Sequence, residues 1–212
     1  EMTSSLVGSE MCIRDSIKTV LEKNKLDGID LDFEWAENEK EYKDYSLAIL
    51  KMREVLGDKY LFSVSLHPVC YKISKEAIEA VDFISLQCYG PSPVRFPIEK
   101  YCSDIQMVLE YGIPKEKLVA GVPFYGVTKD NSKKTEAYFN FVQNGLVTSP
   151  AQNEVIYQGD TYVFDGQDNI RIKTRYAKEQ KLKGMMSWDL ATDLPLSDSR
   201  SLLKTMTEEL RE

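Results

Sequence analysis

The spacing of hydrophobic and polar positions changes several times along the chain, between a helical period and a strand-like one. From 38 to 56, apolar residues recur every three or four positions, which predicts a helix. Asn38, with Glu41 three residues later, is typical of a capping box at its start, and Gly57 is typical of its end. Further helical patterns are predicted at 17–21, 74–81, 105–109 and 170–182, and strand-like runs at 26–34, 61–66, 83–89, 118–124 and 184–190. This alternation predicts an α/β fold built around a parallel sheet.

One predicted strand carries acidic residues on one face. Residues 27–35 read DGIDLDFEW, so a period of two places Asp30, Asp32 and Glu34 on one face and apolar residues on the other. A solvated edge strand would show the same alternation. In a series of βα units, however, we expect this face to be enclosed. Repulsion between the crowded carboxylates then raises the pKa of at least one of them. Glu34 comes last, where the active sites of barrels form, so we expect it to be the protonated acid.

Composition narrows the class of protein. The chain has 212 residues, of which 42% are hydrophobic and 29% are charged, as is typical of a globular domain rather than a disordered chain. The formal net charge is −7 and no run is rich in Lys or Arg, so we expect no nucleic-acid partner and no anionic membrane partner. No apolar segment is long enough to suggest a membrane span.

Residue types suited to metal ligation are sparse. The four cysteines, at 12, 70, 88 and 102, lack the spacing of a zinc site, and His67 is the single histidine. Trp35 stands where a calcium-binding EF-hand loop requires glycine. We therefore predict no metal and no cofactor. One alternative stays open, a magnesium-dependent phosphodiesterase that would use the carboxylates of 30–34 as ligands.

The first residues read unlike the rest of the chain. The segment LVGSEMCIRDS, residues 6–16, resembles the translated end of a transposase-type sequencing adapter. We therefore expect residues 1–16 to be non-native sequence. The presence of a signal peptide, and with it the localisation, stays unknown from this sequence.

The acidic strand resembles the signature of glycoside hydrolase family 18, D-x-x-D-x-D-x-E, which Asp27, Asp30, Asp32 and Glu34 match. Similarity to this family of chitinases and endo-β-N-acetylglucosaminidases extends, in the family's order, through YLFSVSLHP, VDFISLQCYG, GIPKEKLVAGVPFYG and GMMSWDLATD. The resemblance implies a partial TIM (β/α)8 barrel in which strands 4 to 8 are present and strands 1 to 3 are missing. We accordingly expect 17–212 to be the carboxyl-terminal part of a catalytic barrel, which folds incompletely by itself.

The resemblance also implies a reaction. Enzymes of this family cleave β-1,4 linkages at N-acetylglucosamine by a substrate-assisted retaining mechanism, in which the 2-acetamido carbonyl of the sugar is the nucleophile. Glu34 would be the general acid and base, Asp32 would orient the acetamido group, and Asp30 would tune Asp32. Tyr89 would donate its hydroxyl to the acetamido oxygen. The implied partner is an oligo- or polysaccharide that contains N-acetylglucosamine, such as chitin.

The same resemblance assigns further residues to substrate binding, namely Trp188, Gln87, Tyr125 and Asp27. Trp188 would form the apolar floor under the sugar, because aromatic faces pack well on sugar C–H surfaces. The chain departs from the family at Gln87, where Met is frequent, and at Gly90, where many members have Asp. These departures leave the substrate open between chitin and a branched glycan.

Residues 128–168 form a less regular, polar stretch, too short for the full inserted α+β subdomain of some chitinases. A shallower cleft is therefore implied. For the full-length protein we expect a monomer, and the family favours a secreted or cell-surface location. An inactive carbohydrate-binding homologue is the main alternative, although such homologues commonly lose the acid that Glu34 provides here.

Overall fold

The structure, a computed structural model, describes residues 16–211. The segment expected to be non-native therefore lies outside the described residues, except for Ser16. The helices are α1 (16–24), α2 (Glu39–Leu56), α3 (Lys75–Ala80), α4 (Ile98–Tyr111), α5 (Tyr138–Gln143), α6 (Gln167–Glu179) and α7 (Leu202–Arg211). The strands are β1 (Gly28–Asp32), β2 (Leu61–Leu66), β3 (Phe83–Leu86), β4 (Leu118–Pro123), β5 (Tyr125–Thr128), β6 (Thr135–Ala137), β7 (Glu154–Tyr157), β8 (Asp160–Val163) and β9 (Gly184–Trp188). Within the described part, no helix is both long and apolar enough to cross a membrane.

Five of these strands form one sheet, in the order β1-β2-β3-β4-β9. β1 pairs in parallel with β2, and β4 pairs in parallel with β9. The predicted α/β class is therefore confirmed. Within residues 16–211, β1 and β9 stand at the two ends of the sheet, and the finer prediction of a partial barrel stays a prediction.

Four of the five predicted strands are shorter in the structure. β4 ends one residue early, at Pro123, and β9 ends two residues early, at Trp188, whereas the other two differ more. The strand predicted at 83–89 ends at Leu86, because the Cys88 N–H donates to the Leu86 carbonyl (2.9 Å) in a tight turn that leaves the ladder. The strand predicted at 26–34 covers Gly28–Asp32. As a result, Tyr89 and Glu34 lie just after a strand rather than within it.

The chain divides into two compact units, and the first contains residues up to 66 together with 70–84. Here α2 begins as predicted, since the Asn38 side chain accepts a hydrogen bond from the Glu41 N–H (3.1 Å) and donates one to the Glu41 carboxylate (2.7 Å). The helix ends at Gly57, as predicted. Helices α2 and α3 pack together. Buried apolar side chains of this unit include Tyr45, Ile49, Leu56, Phe62, Val64, Ile73 and Ala77.

The second unit contains 67–69 and the residues from 85 onwards. Its helix α4 ends at Gly112, whose φ of 112° lies in the left-handed region that glycine adopts without steric cost. Helix α6 packs against both α4 and α7. Buried apolar side chains of this unit include Tyr101, Ile105, Val108, Val122, Phe124, Ile170, Ala177 and Leu202.

The stretch 128–168, predicted to be less regular, contains the short strands β6, β7 and β8 and the helix α5, with loops between them. Strands in the order β6-β5-β8-β7 form a four-stranded antiparallel sheet. An ion pair between Lys134 Nζ and Asp160 Oδ2 (2.6 Å) joins residues far apart in sequence. The ring of Phe141, in α5, contacts three other aromatic rings, those of Tyr157, Tyr162 and Phe164. Strands of three or four residues give little periodic signal, whereas tertiary pairing and aromatic packing stabilise them.

Candidate active site

The acidic side chains of the predicted motif line up along β1. Asp30 and Asp32 lie on the strand and Glu34 follows it, and all three side chains are exposed. Asp27, which is also exposed, precedes the strand, and its carbonyl accepts a hydrogen bond from the Leu61 N–H (2.9 Å). The peptide bond after Glu34 is cis. The expectation that this face is enclosed is not met within the described residues, because β1 is an end strand of its sheet.

Two serines of the neighbouring strand hold Asp30. In the parallel register, Asp30 stands opposite Ser63, and Asp32 stands opposite Ser65. The Ser63 hydroxyl donates to Asp30 Oδ1 (2.5 Å), and the Ser65 hydroxyl donates to Asp30 Oδ2 (2.7 Å). Sequence reasoning missed both serines. A signal was present, because they occupy alternate positions between the buried Phe62, Val64 and Leu66 and so face the same side as each other.

Tyr45, in α2, supports the backbone of β1. Its hydroxyl donates to the Leu31 carbonyl (3.2 Å), and its ring packs against that of Phe33 with centroids 5.2 Å apart. Burial, followed by the negative charges of Asp30 and Asp32, raises the pKa of Tyr45 well above its usual value. The hydroxyl therefore stays protonated and keeps donating to the strand.

Close contacts fix the chain on either side of the acidic residues. At Gly28, a Cβ would collide with the Leu61 carbonyl, so the pairing of β1 with β2 requires glycine there. After the acidic residues, the Ala36 N–H donates to the Cys70 thiol sulfur (3.1 Å), and both residues are buried. The backbone segment that contains the exposed carboxylates is therefore fixed by close contacts both before and after it.

In the second unit, Tyr89 is buried and its ring is closely surrounded. Its hydroxyl lies 3.6 Å from Met186 Sδ, and its ring meets that of Tyr125 edge to face, with centroids 6.4 Å apart. A Cβ on Gly121 would lie 2.9 Å from Tyr89 Cε1, so only glycine leaves room for the ring. Sequence reasoning identified Tyr89 and Tyr125 but not Gly121 or Met186.

His67 holds the backbone of Tyr89. The Val69 N–H donates to His67 Nδ1 (3.2 Å), so the ring proton is on Nε2, which donates to the Tyr89 carbonyl (3.0 Å). Burial, followed by the positive charge of Arg95, lowers the pKa of His67 to about 4. His67 is therefore neutral at physiological pH. Its partner lies 22 positions away in the chain, so no local sequence signal could have identified this role.

Tyr125 and Trp188 line the same cavity of about 350 Å³. Trp188 ends β9 and is 56% exposed, while burial raises the pKa of Tyr125 well above its usual value. The peptide bond after Trp188 is cis. The other lining residues are Pro91, Thr135, Glu136, Ala137, Asp189 and Thr192. A partly exposed indole next to hydroxyl and carboxylate groups is suited to a ligand with both C–H and O–H surfaces, such as a sugar.

The structure thus brings the predicted residues together in two groups. The first unit carries the four acidic residues of the motif, and the second carries the aromatic residues Tyr89, Tyr125 and Trp188. Gln87, also in the second unit, is buried with 7% of its surface exposed. Among residues 16–211, no group of three or more His, Cys, Asp or Glu side chains is placed so that it could hold a metal ion.

Comparison with known proteins gives consistent matches. The chain is similar to the probable chitinase 2 of Drosophila melanogaster, at 23% identity over 90% of this chain and 53% of that protein. It is similar to the solved GH18 chitinase ChiB of Flavobacterium johnsoniae, with a TM-score of 0.76 and 27% identity over 93% of this chain and 64% of that one. The chitinase-like agglutinin of Robinia pseudoacacia shares the fold, with a TM-score of 0.75 and 18% identity over 92% of this chain and 71% of that one.

The chain therefore spans about half the length of the Drosophila relative and about two thirds of the Flavobacterium structure. The model of the family described as glycosyl hydrolases family 18 matches residues 10–193. This range includes the acidic strand and Trp188. The chain belongs to glycosyl hydrolases family 18.

Proposed function

We propose that the protein hydrolyses β-1,4 linkages at N-acetylglucosamine in chitin or a related glycan, by the substrate-assisted retaining mechanism. The observation that carries this proposal is the acidic segment around β1, where Asp30 and Asp32 lie on the strand, Glu34 follows it, and all three side chains are accessible to solvent. Membership of the family supports the same conclusion. The reaction needs a proton donor and a second carboxylate but no metal, because the substrate supplies the nucleophile.

Glu34 would act as the general acid and then as the general base. A proton donor must reach the glycosidic oxygen, and Glu34 lies beyond the carboxyl end of β1 with an exposed side chain. Asp32, two residues earlier on the same face, would orient the acetamido group and stabilise the positive charge of the oxazolinium intermediate. Asp30 would influence Asp32 through the coupling of neighbouring carboxylates.

The aromatic residues would serve substrate binding. We propose that Trp188 packs against a sugar ring, since more than half of its surface is exposed at the cavity that Tyr125 also lines. Tyr89 would donate its hydroxyl to the acetamido oxygen. Gln87 and Asp27 would take part in binding the glycan.

We also propose that β1, β2, β3, β4 and β9 are the fourth to eighth strands of a (β/α)8 barrel. Their order in the sheet is the same as their order in the chain, as in a barrel whose strands follow one another. The likeness to the Flavobacterium chitinase supports this assignment.

Glu34→Gln tests the proposed reaction. The protein, expressed from its full reading frame, should release nitrophenol from a nitrophenyl chitobioside, and Glu34→Gln should lower kcat by about 10²-fold or more, as expected for loss of a general acid. Glu37→Gln is the matched control, because Glu37 is also exposed and lies three residues along the chain. An active Glu34→Gln variant would refute the assignment. NMR of the first product should detect the β-anomer.

A carbohydrate-binding protein without catalysis is the second candidate, since the agglutinin of Robinia pseudoacacia shares this fold. The same samples decide between the two. Retention on chitin with no turnover by the wild-type protein would favour binding alone. Chelator-sensitive hydrolysis of a phosphate ester would instead favour the magnesium-dependent phosphodiesterase.

A further inference from the structure

We propose that Ser63 and Ser65 are positioning residues, which fix the orientation of the Asp30 carboxylate during the reaction. This inference rests on the proposed hydrolysis, because Asp30 acts there through Asp32. Neither serine would touch the substrate. Their effect on the reaction would pass through the hydrogen bonds that they donate to Asp30.

The geometry provides one donor for each oxygen of the carboxylate. Ser63 donates to Oδ1 (2.5 Å) and Ser65 donates to Oδ2 (2.7 Å). Both donors come from β2, whose parallel register places them two residues apart on the side of Asp30. A carboxylate held through both oxygens cannot rotate about its last side-chain bond without breaking a hydrogen bond. The plane of Asp30 is therefore fixed relative to its own strand.

The burial of the serines makes the arrangement rigid. Ser63 is 4% exposed and Ser65 is 9% exposed, and Phe62, Val64 and Leu66 beside them are buried as well. Both hydroxyls therefore belong to β2, a strand whose other face is buried. A short O–H···O bond to a carboxylate is among the stronger hydrogen bonds in proteins, and it favours the ionised form of the acceptor.

The hydroxyl groups of Ser63 and Ser65 are suitable donors for a carboxylate that lies next to a proton-transfer group. A serine hydroxyl carries no charge and can either donate or accept. It therefore holds Asp30 without the strong fixed field that a lysine or arginine would impose on the neighbouring Asp32 and Glu34. In this way Ser63 and Ser65 would hold Asp30 in place while proton exchange along the strand stays possible.

The first test separates kcat from KM. In the protein expressed from its full reading frame, the double substitution Ser63→Ala/Ser65→Ala should lower kcat by about 10- to 100-fold with KM changed less than about threefold. Ser63→Thr and Ser65→Thr keep the hydroxyl and should restore most of kcat. Wild-type kcat in the double variant would overturn the proposal.

Ser46→Ala is the matched control. Ser46 is buried in the same unit, and its hydroxyl also makes two hydrogen bonds, to the Tyr42 carbonyl (2.7 Å) and from the Ser74 N–H (2.8 Å). Its loss should lower the melting temperature while leaving kcat unchanged. An equal loss of kcat in Ser46→Ala would mean that the effect is structural, and so would contradict the proposal.

A second readout does not depend on catalysis. Crystal structures of the wild type and of Ser65→Ala, which removes one hydroxyl and is the milder change should the double variant not fold, should show the Asp30 carboxylate in one orientation in the wild type and in a rotated or second orientation in the variant. The same single orientation in both would overturn the role of the serines, whereas a reoriented carboxylate in a protein whose wild type has no turnover would refute the proposed hydrolysis instead.

Discussion

Asp30 in the first unit and Asp165 in the second are both held by short hydrogen bonds, yet their surroundings differ. Asp30 is exposed and accepts from two neutral hydroxyls, at 2.5 and 2.7 Å. Asp165 pairs with Lys173 Nζ at 2.6 Å, and both side chains have 0% of their surface exposed. The Lys173 ammonium also lies 5.4 Å from the centroid of the Tyr101 ring.

The comparison separates two uses of a carboxylate. A buried ion pair confines both partners to one charge state, because either charge alone would be very costly away from water. Such a pair suits a structural role, and Asp165 lies just before α6, which carries Lys173. The donors to Asp30 carry no charge and its side chain is exposed, which suits a residue next to a proton-transfer group.

The largest expected effect is that of Asp165→Asn. This change leaves Lys173 charged and buried without a counter-charge, so the free energy of unfolding should fall by about 3–5 kcal/mol. Urea denaturation of wild type and variant measures it. Asp160→Asn is a suitable control, because Asp160 forms an exposed ion pair with Lys134 and should contribute less than about 1 kcal/mol. Equal losses at the two sites would contradict the comparison.

The next effect concerns His67, the other buried group confined to one charge state. Its pKa is lowered from 6.5 to about 4, so the unfolded chain binds the proton more readily than the folded one. The resulting stability is fully present above pH 6.5 and is lost as the pH falls from 6.5 towards 4, up to about 3 kcal/mol.

His67→Gln isolates this contribution, because glutamine can donate to the Tyr89 carbonyl but does not titrate in this range. Unfolding free energies at pH 7.5 and 4.5 should show a larger acid loss in the wild type than in the variant. Equal acid losses would show that His67 is not the group responsible.

The smallest effect on stability is expected for Asp30→Asn, the same chemical change as Asp165→Asn at the exposed site. One serine hydroxyl can reverse direction and accept from the new amide NH2, while the other still donates to the amide oxygen, so the free energy of unfolding should change by less than about 1 kcal/mol. Turnover of the chitobioside should nevertheless fall, because the coupling to Asp32 is lost. A stability loss as large as that of Asp165→Asn would mean that Asp30 is a structural residue.

Several elements were predictable from sequence because their determinants are local. The start of α2 depends on Asn38 and Glu41, which lie within one helical turn, and its end depends on Gly57. The acidic face of β1 follows from strand periodicity, and the motif D-x-x-D-x-D-x-E led to the family that the match over 10–193 confirms.

Other features could not be predicted because their determinants are distant in sequence. Ser63 and Ser65 meet Asp30 only through the register of β1 with β2. The antiparallel sheet of β5 to β8 consists of short strands, and its stability depends on pairing and on the aromatic packing around Phe141. His67 acts on Tyr89 through a hydrogen bond across 22 positions.

The sequence by itself determined the order and spacing of the four acidic residues in and beside β1, and the alternation of helices and strands along the chain. Those properties depend on backbone periodicity and on residue type, which neighbours in the chain decide. Only the tertiary structure decided which carboxylate is held by hydroxyls and which by an ammonium, and which histidine nitrogen carries the proton. Such properties depend on burial and on partners from other elements, and both exist only once the chain has folded.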